Sequence, residues 1–181
     1  NPNRRWTYEE VCNWCSGKYQ PIPGEANMES NTVRIPTYKF RGELYTDTTE
    51  LVQALASDWD NGKKQLYRGL LTGFFMACDP QIAEACMDAE DSVTKHGENE
   101  DVAFWKLLYK MAPGMNALFW KNQKYESLNA FGTDLMEKLR GGNVEECPMW
   151  NEMLSYGLIS SYMKAHRFSE AQVKGAESIE S

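Results

Sequence analysis

The sequence predicts a mainly α-helical domain of two related hairpin-plus-helices units, with one or two short β-hairpins. Three observations lead there. First, Leu66, Gly69, Leu70, Leu71, Thr72, Phe74 and Ala77 meet Leu154, Gly157, Leu158, Ile159, Ser160, Tyr162 and Ala165 in one register. Second, an upstream block repeats in the same order, Phe40-Arg41-Gly42 with Tyr45 against Trp120-Lys121-Asn122 with Tyr125. Third, apolar residues at three- and four-residue spacing follow both blocks, the mark of helices with one buried face.

The elements follow in order. Residues 1–18 hold a helix: Pro2 precedes it, Thr7 is a good N-cap with Glu10 three residues on in a capping box, and Val11 and Trp14 share a face. Pro21, Pro23 and Gly24 cannot continue it, so residues 19–36 are a linker. The first unit spans residues 37–112. It opens with a small hairpin around Arg41-Gly42, then a helix from Thr48 or Thr49 that buries Leu51, Leu55 and Trp59. A further helix presents Leu66, Leu70 and Phe74, and residues 80–91 and 101–111 are helical, with His96-Gly97 and Pro113-Gly114 as breaks. The second unit, residues 113–168, keeps the turn because Asn122, like Gly42, accepts positive φ. Its first helix carries Leu128, Phe131, Leu135 and Leu139 up to Gly141-Gly142, and the next presents Leu154, Leu158 and Tyr162. The polar, alanine-rich residues 169–181 read as a flexible tail.

Gly69 and Gly157 interrupt good helices at about 1 kcal/mol each. Beside Leu70 and Leu158, they are expected to let another helix approach closely, the same packing contact made twice.

Composition narrows the function. The 181 residues are 42% hydrophobic, enough for a real core, and no apolar run reaches the roughly 18–20 residues of a membrane span. A net charge of −7 argues against nucleic-acid phosphates and polybasic membrane binding. Five cysteines in odd number, with no targeting segment, suit a reducing cytoplasm. Cys12 and Cys15 form a C-x-x-C, but Cys78, Cys86, Cys147, His96 and His166 offer no second close pair for zinc, and Cys12 lies well inside the first helix rather than at its start. The acidic runs Asp88-Ala89-Glu90-Asp91 and Glu98-Asn99-Glu100-Asp101 lack calcium-loop spacing and read as solvated connections. His96 and His166 read as surface or boundary residues. No phosphate loop, nucleophile elbow or H-E-x-x-H motif occurs.

Asn1-Pro2-x-x-Arg5-x-Thr7-x-x-Glu10 resembles the last motif of the eukaryotic-type protein kinase catalytic domain, in its bacterial Ser/Thr form. The resemblance implies that Pro2, Arg5, Thr7 and Glu10 are structural residues at the end of a kinase lobe. It further implies that Arg5 matches an arginine pairing with a glutamate of the activation segment. A chain that starts without Met then reads as a piece of a longer protein whose machinery lies upstream. The parent would phosphorylate protein from ATP with magnesium. This piece would be a non-catalytic accessory domain with no metal or cofactor of its own, docking on its kinase domain, another protein or another copy of itself. A stand-alone metal or thiol protein using Cys12 and Cys15, and a purely structural spacer, are the alternatives.

Overall fold

The computed structural model describes residues 8–16, 36–142 and 148–181, and the chain divides into two compact units, residues 1–35 and 36–181. In the first unit, helix α1 (Tyr8–Cys15) occupies the stretch expected to be helical, with Tyr8, Val11, Cys12 and Cys15 exposed. Glu10 falls within α1, whereas Pro2, Arg5, Thr7, Gly17 and the linker residues 19–35 lie outside the described residues.

The second unit is mainly α, with two antiparallel hairpins of two strands each. Its order is β1 (Tyr38–Phe40), β2 (Glu43–Tyr45), α2 (Thr48–Ser57), α3 (Trp59–Tyr67), α4 (Leu70–Cys78), α5 (Pro80–His96) and α6 (Glu100–Met111). There follow β3 (Leu118–Trp120), β4 (Gln123–Tyr125), α7 (Leu128–Arg140), α8 (Pro148–Ser155), α9 (Leu158–Ala165) and α10 (Glu170–Glu180). The duplication seen in sequence is an element-by-element repeat: hairpin, helix, helix, left-handed glycine, helix, helix.

Each hairpin closes through two residues at positive φ, Arg41 and Gly42 in the first, Lys121 and Asn122 in the second. Such turns match the right-handed twist of the strands they join, which is why glycine and asparagine recur here. The registers agree, Tyr38 opposite Tyr45 and Leu118 opposite Tyr125. Two residues later an acceptor caps the next helix in both copies. Asp47 accepts from the amide of Glu50, and Ser127 accepts from that of Ala130.

The paired glycines stand elsewhere than expected. Neither sits inside a continuous helix; Gly69 lies between α3 and α4, and Gly157 between α8 and α9, with φ of 68° and 64°. Each amide closes the preceding helix, Gly69 N donating to Leu66 O at 2.7 Å and Gly157 N to Leu154 O at 3.0 Å. A Cβ at Gly69 would meet nothing within 4 Å, and one at Gly157 only the Glu180 carboxylate at 3.8 Å. Backbone conformation, not close helix packing, is therefore what selects glycine. The helices that follow the two breaks bury different faces. Leu71 and Phe75 are buried while Leu70 is 49% exposed, whereas Leu158, Ile159 and Tyr162 are all buried, so Leu70 and Leu158 are not equivalent in packing.

The expected flexible tail is instead helix α10. Ser169 caps it in a complete capping box with Gln172, and Val173 and Ala176 are buried where it packs on α9 and α8. By N-cap position α10 is the counterpart of α5, whose cap is Asp79. The repeats thus run over residues 38–96 and 118–180, with α6 between them, rather than over 37–112 and 113–168. Most of the acidic residues read as connections belong to helices, Asp88, Glu90 and Asp91 to α5 and Glu100 and Asp101 to α6. Glu98 does lie in the connection, where it pairs with Lys106 at 2.5 Å, and Asn99 caps α6.

One hydrophobic core runs through both repeats, with Trp59, Trp105, Trp120, Phe104 and Phe119 fully buried around α6. Each such side chain contributes about 1.5–3 kcal/mol by leaving water.

Candidate interaction surface

The two repeats meet along a seam built by α3, α6 and the second hairpin. The Trp59 amide at the start of α3 donates to Asn122 Oδ1 at 2.8 Å, so the turn of the second hairpin caps a helix of the first repeat. The Trp59 indole donates to Asp101 Oδ1 at 2.8 Å, and Lys63 Nζ lies 2.6 Å from the same oxygen. Lys121, the neighbour of Asn122, reaches Asp101 at 3.6 Å and Glu152 at 2.9 Å, and the Trp120 indole donates to Glu152. The Trp59 and Trp120 rings lie 5.7 Å apart beneath these groups.

Burial opposes the charge on Asp101, but the bonds from Lys63 and Trp59 and the charges of Lys63 and Lys121 outweigh it, leaving the carboxyl below its ordinary range. Glu152 behaves alike, burial being outweighed by Trp120 and Lys121. Both are fixed anions with occupied oxygens. That suits them to holding a seam and not to donating protons.

Behind the hairpin, Tyr109 donates to Ala117 O at 2.8 Å and accepts from the Phe119 amide at 3.1 Å. Tyr162 donates to Asn116 O at 2.7 Å, and the His166 ring stacks on Tyr162, with Nε2 2.9 Å from Met115 O and Nδ1 2.9 Å from Tyr162 O. His166 thus closes α9 onto the inter-repeat loop, and His96 is the exposed last residue of α5.

Away from the seam, the repeat register locates a surface that the sequence reading missed. On α2, Val52 and Ala56 are fully buried, and Trp59 follows at the start of α3; α2 packs on β3 and α6. Eighty residues on stand Gly132, Met136 and Leu139, and Met136 and Leu139 are 49% and 43% exposed. On α5, Ala85 and Ala89 are buried against α6. Their α10 counterparts, in register from the N-caps, are Gly175 and Ile179, the latter 63% exposed. A matching interaction fixes that register: Glu90 accepts from Thr72 Oγ1 at 2.7 Å, and Glu180 accepts from the amide of Ser160, the equivalent residue, at 3.0 Å.

Among the described residues, α6 and the second hairpin cover this face of the first repeat, while Met136, Leu139 and Ile179 are exposed at the corresponding positions of the second. Lys39 is exposed where its counterpart Phe119 is buried, and Leu44, opposite Lys39 in the first hairpin, is exposed as well.

Cys12 and Cys15 are exposed on α1; Cys78 is half-buried, and burial, helped by Glu90, pushes the Cys86 thiol up to about 12. Cys147 lies outside the described residues. Among the described residues no group of three or more His, Cys, Asp or Glu side chains could hold a metal ion, and no helix is long and apolar enough to cross a membrane.

Comparison of the chain with protein-family models, with curated proteins and with solved structures found no match.

Proposed function

We propose that residues 36–181 form a non-catalytic protein-interaction domain that follows the catalytic domain of a Ser/Thr protein kinase and acts in the cytoplasm. The observation that carries the interaction role is the exposure of Met136, Leu139 and Ile179 in the second repeat, at positions whose counterparts in the first repeat are buried. Exposed apolar side chains at positions that a repeat otherwise buries suit contact with a partner. The kinase connection rests on the motif Pro2, Arg5, Thr7 and Glu10. ATP and magnesium belong to the catalytic domain in this reading, and residues 36–181 bind its substrate proteins or regulators.

The test uses a polypeptide joining the catalytic domain to this chain. Deleting residues 36–181 is expected to leave phosphorylation of a generic peptide nearly unchanged while lowering phosphorylation of co-purifying proteins. ATP-dependent phosphoryl transfer by residues 1–181 alone would overturn the non-catalytic reading. A sequence before Pro2 lacking the catalytic-loop and metal-binding aspartates would remove the kinase connection.

A further inference from the structure

We propose that His166 is a proton-operated latch. With a proton on each ring nitrogen it ties the end of α9 to the loop between the repeats, and losing one proton releases one of two ties. The ring stands between two backbone carbonyls, Nδ1 2.9 Å from Tyr162 O and Nε2 2.9 Å from Met115 O. A carbonyl oxygen only accepts, so both nitrogens must donate if both bonds are to form. The neutral ring has one N–H and one lone pair. It makes either bond and turns the lone pair on the other oxygen; the imidazolium makes both.

The surroundings favour the cation. His166 is the C-cap of α9, where the helix dipole and the last carbonyls attract positive charge. Its ring stacks on Tyr162 with centroids 3.9 Å apart, and the Tyr109 ring of α6 lies at 6.1 Å. Burial pushes both phenols above their ordinary range, so neither titrates with the imidazole. Residues 112–117 of the loop carry no ionisable side chain. The charged groups of the packed helices are engaged elsewhere: Lys106 and Lys110 of α6 with Glu98 and Asp88, Glu152 of α8 with Lys121, and Glu177 of α10 with Lys164. Glu170 pairs with Lys174, and Glu180 holds the Ser160 amide. Arg167, next in the chain, is exposed, and water screens its charge from the ring.

The first repeat supplies the contrast. In the register of the two glycines Cys78 stands where His166 does, and its Sγ donates to Phe74 O at 3.4 Å, the counterpart of Tyr162 O. One weak bond to that carbonyl serves the first repeat. The bond to Met115 O is what an imidazole adds, beside the one that Tyr162 makes to Asn116 O. An imidazole ordinarily takes up its proton near pH 6.5. The unfolded chain offers the second proton no such carbonyl, so the stabilisation is present in mild acid and lost as pH rises through neutrality. The seam carboxylates act in the opposite sense and below about pH 5, so the two windows separate.

The test follows the melting temperature of the whole chain from about pH 5.5 to about pH 8.5, with His166→Gln beside it. Glutamine donates to a carbonyl but takes up no proton in this range. The natural chain should exceed His166→Gln by several degrees at the acid end, and the gap should close towards the alkaline end. His96→Gln, which removes the other histidine, should keep the dependence of the natural chain. A gap that stays constant or widens with pH overturns the proposal, as does a dependence lost in His96→Gln. Nuclear magnetic resonance of the natural chain gives a reading that needs no variant to fold. At about pH 7, where an ordinary imidazole is mostly neutral, the His166 ring should still carry both N–H protons. A single N–H there overturns the latch.

Discussion

Replacing Gly62 with alanine puts a methyl group where two buried elements already touch. A Cβ there would stand 2.5 Å from the Leu55 carbonyl oxygen of α2 and 2.8 Å from Phe104 Cζ of α6. Neither neighbour can retreat. The oxygen belongs to helix backbone, and the fully buried Phe104 ring is held edge-on to Trp59 at 5.0 Å. Relief requires α3 to move off α2, which pulls on the Trp59 bonds to Asn122 and Asp101 at the seam. Overpacking of this kind costs about 1–3 kcal/mol. Against it stands a gain of about 1 kcal/mol in helix propensity. With the clash against backbone, the upper part of the range applies, and the net loss is about 2 kcal/mol. For a unit of this size that lowers Tm by about 4–8 °C. Calorimetry of the whole chain with and without Gly62→Ala reads it directly. An unchanged or raised Tm would show that α2 and α3 do not meet at this point, and the tight first repeat would have to be redrawn. The second repeat supplies the contrast: Trp150 stands where Gly62 does, and α7 and α8 leave a cavity of about 260 Å³ lined by Phe131, Leu135 and Trp150.

Other glycines answer differently because their reasons differ. Gly69→Ala and Gly157→Ala should each destabilise by about 1 kcal/mol, through left-handed backbone strain with no clash, in urea melts; no loss in either would remove the conformational explanation. Gly132→Ala and Gly175→Ala should each raise the stability of the isolated chain by about 0.5–1 kcal/mol, and a loss at either would show that its added Cβ does not stand in open space. Stability should also fall in acid. The folded-state pKa values of Asp101, Glu98 and Glu152 are lowered, so their stabilisation is present above the unfolded carboxyl range near pH 4 and is lost as pH falls through the folded values. Urea melts at pH 7 and pH 3 should show a smaller acid loss for Asp101→Asn than for the natural chain; an equal loss would place the sensitivity elsewhere.

Much of the architecture was legible in the residues. The hairpins announced themselves through Arg41-Gly42 and Lys121-Asn122, since few residues accept positive φ, and the repeat was visible in the leucines and glycines that recur in one order. The role of Gly69 and Gly157 was misread because a glycine among leucines looks alike in sequence whether it lets a helix approach or ends one. Only φ distinguishes them. Residues 169–181 read as a tail because they are polar; a buried stripe of Val173 and Ala176, a capping box, and the bonds of Glu180 to Ser160 and of Glu177 to Lys164 hold α10. The seam was invisible for another reason. Asp101 looks like one more acid in a charged run, and its partners Trp59, Lys63 and Lys121 come from distant positions. The exposed apolar positions could have been found by carrying the repeat register past its matched residues, because what marks them is mismatch: Ala56 against Met136 and Ala89 against Ile179.

Methionine-oxidation footprinting tests most directly whether this face is what the domain binds with. Met136 on α7 is 49% exposed and Met76 on α4 is 61% exposed, so both should oxidise readily in the isolated chain. With a co-purifying protein bound at saturation, oxidation of Met136 should slow severalfold while that of Met76 stays unchanged. Equal rates at Met136 with and without the bound protein, or protection appearing at Met76 instead, would contradict a partner seated on the second repeat.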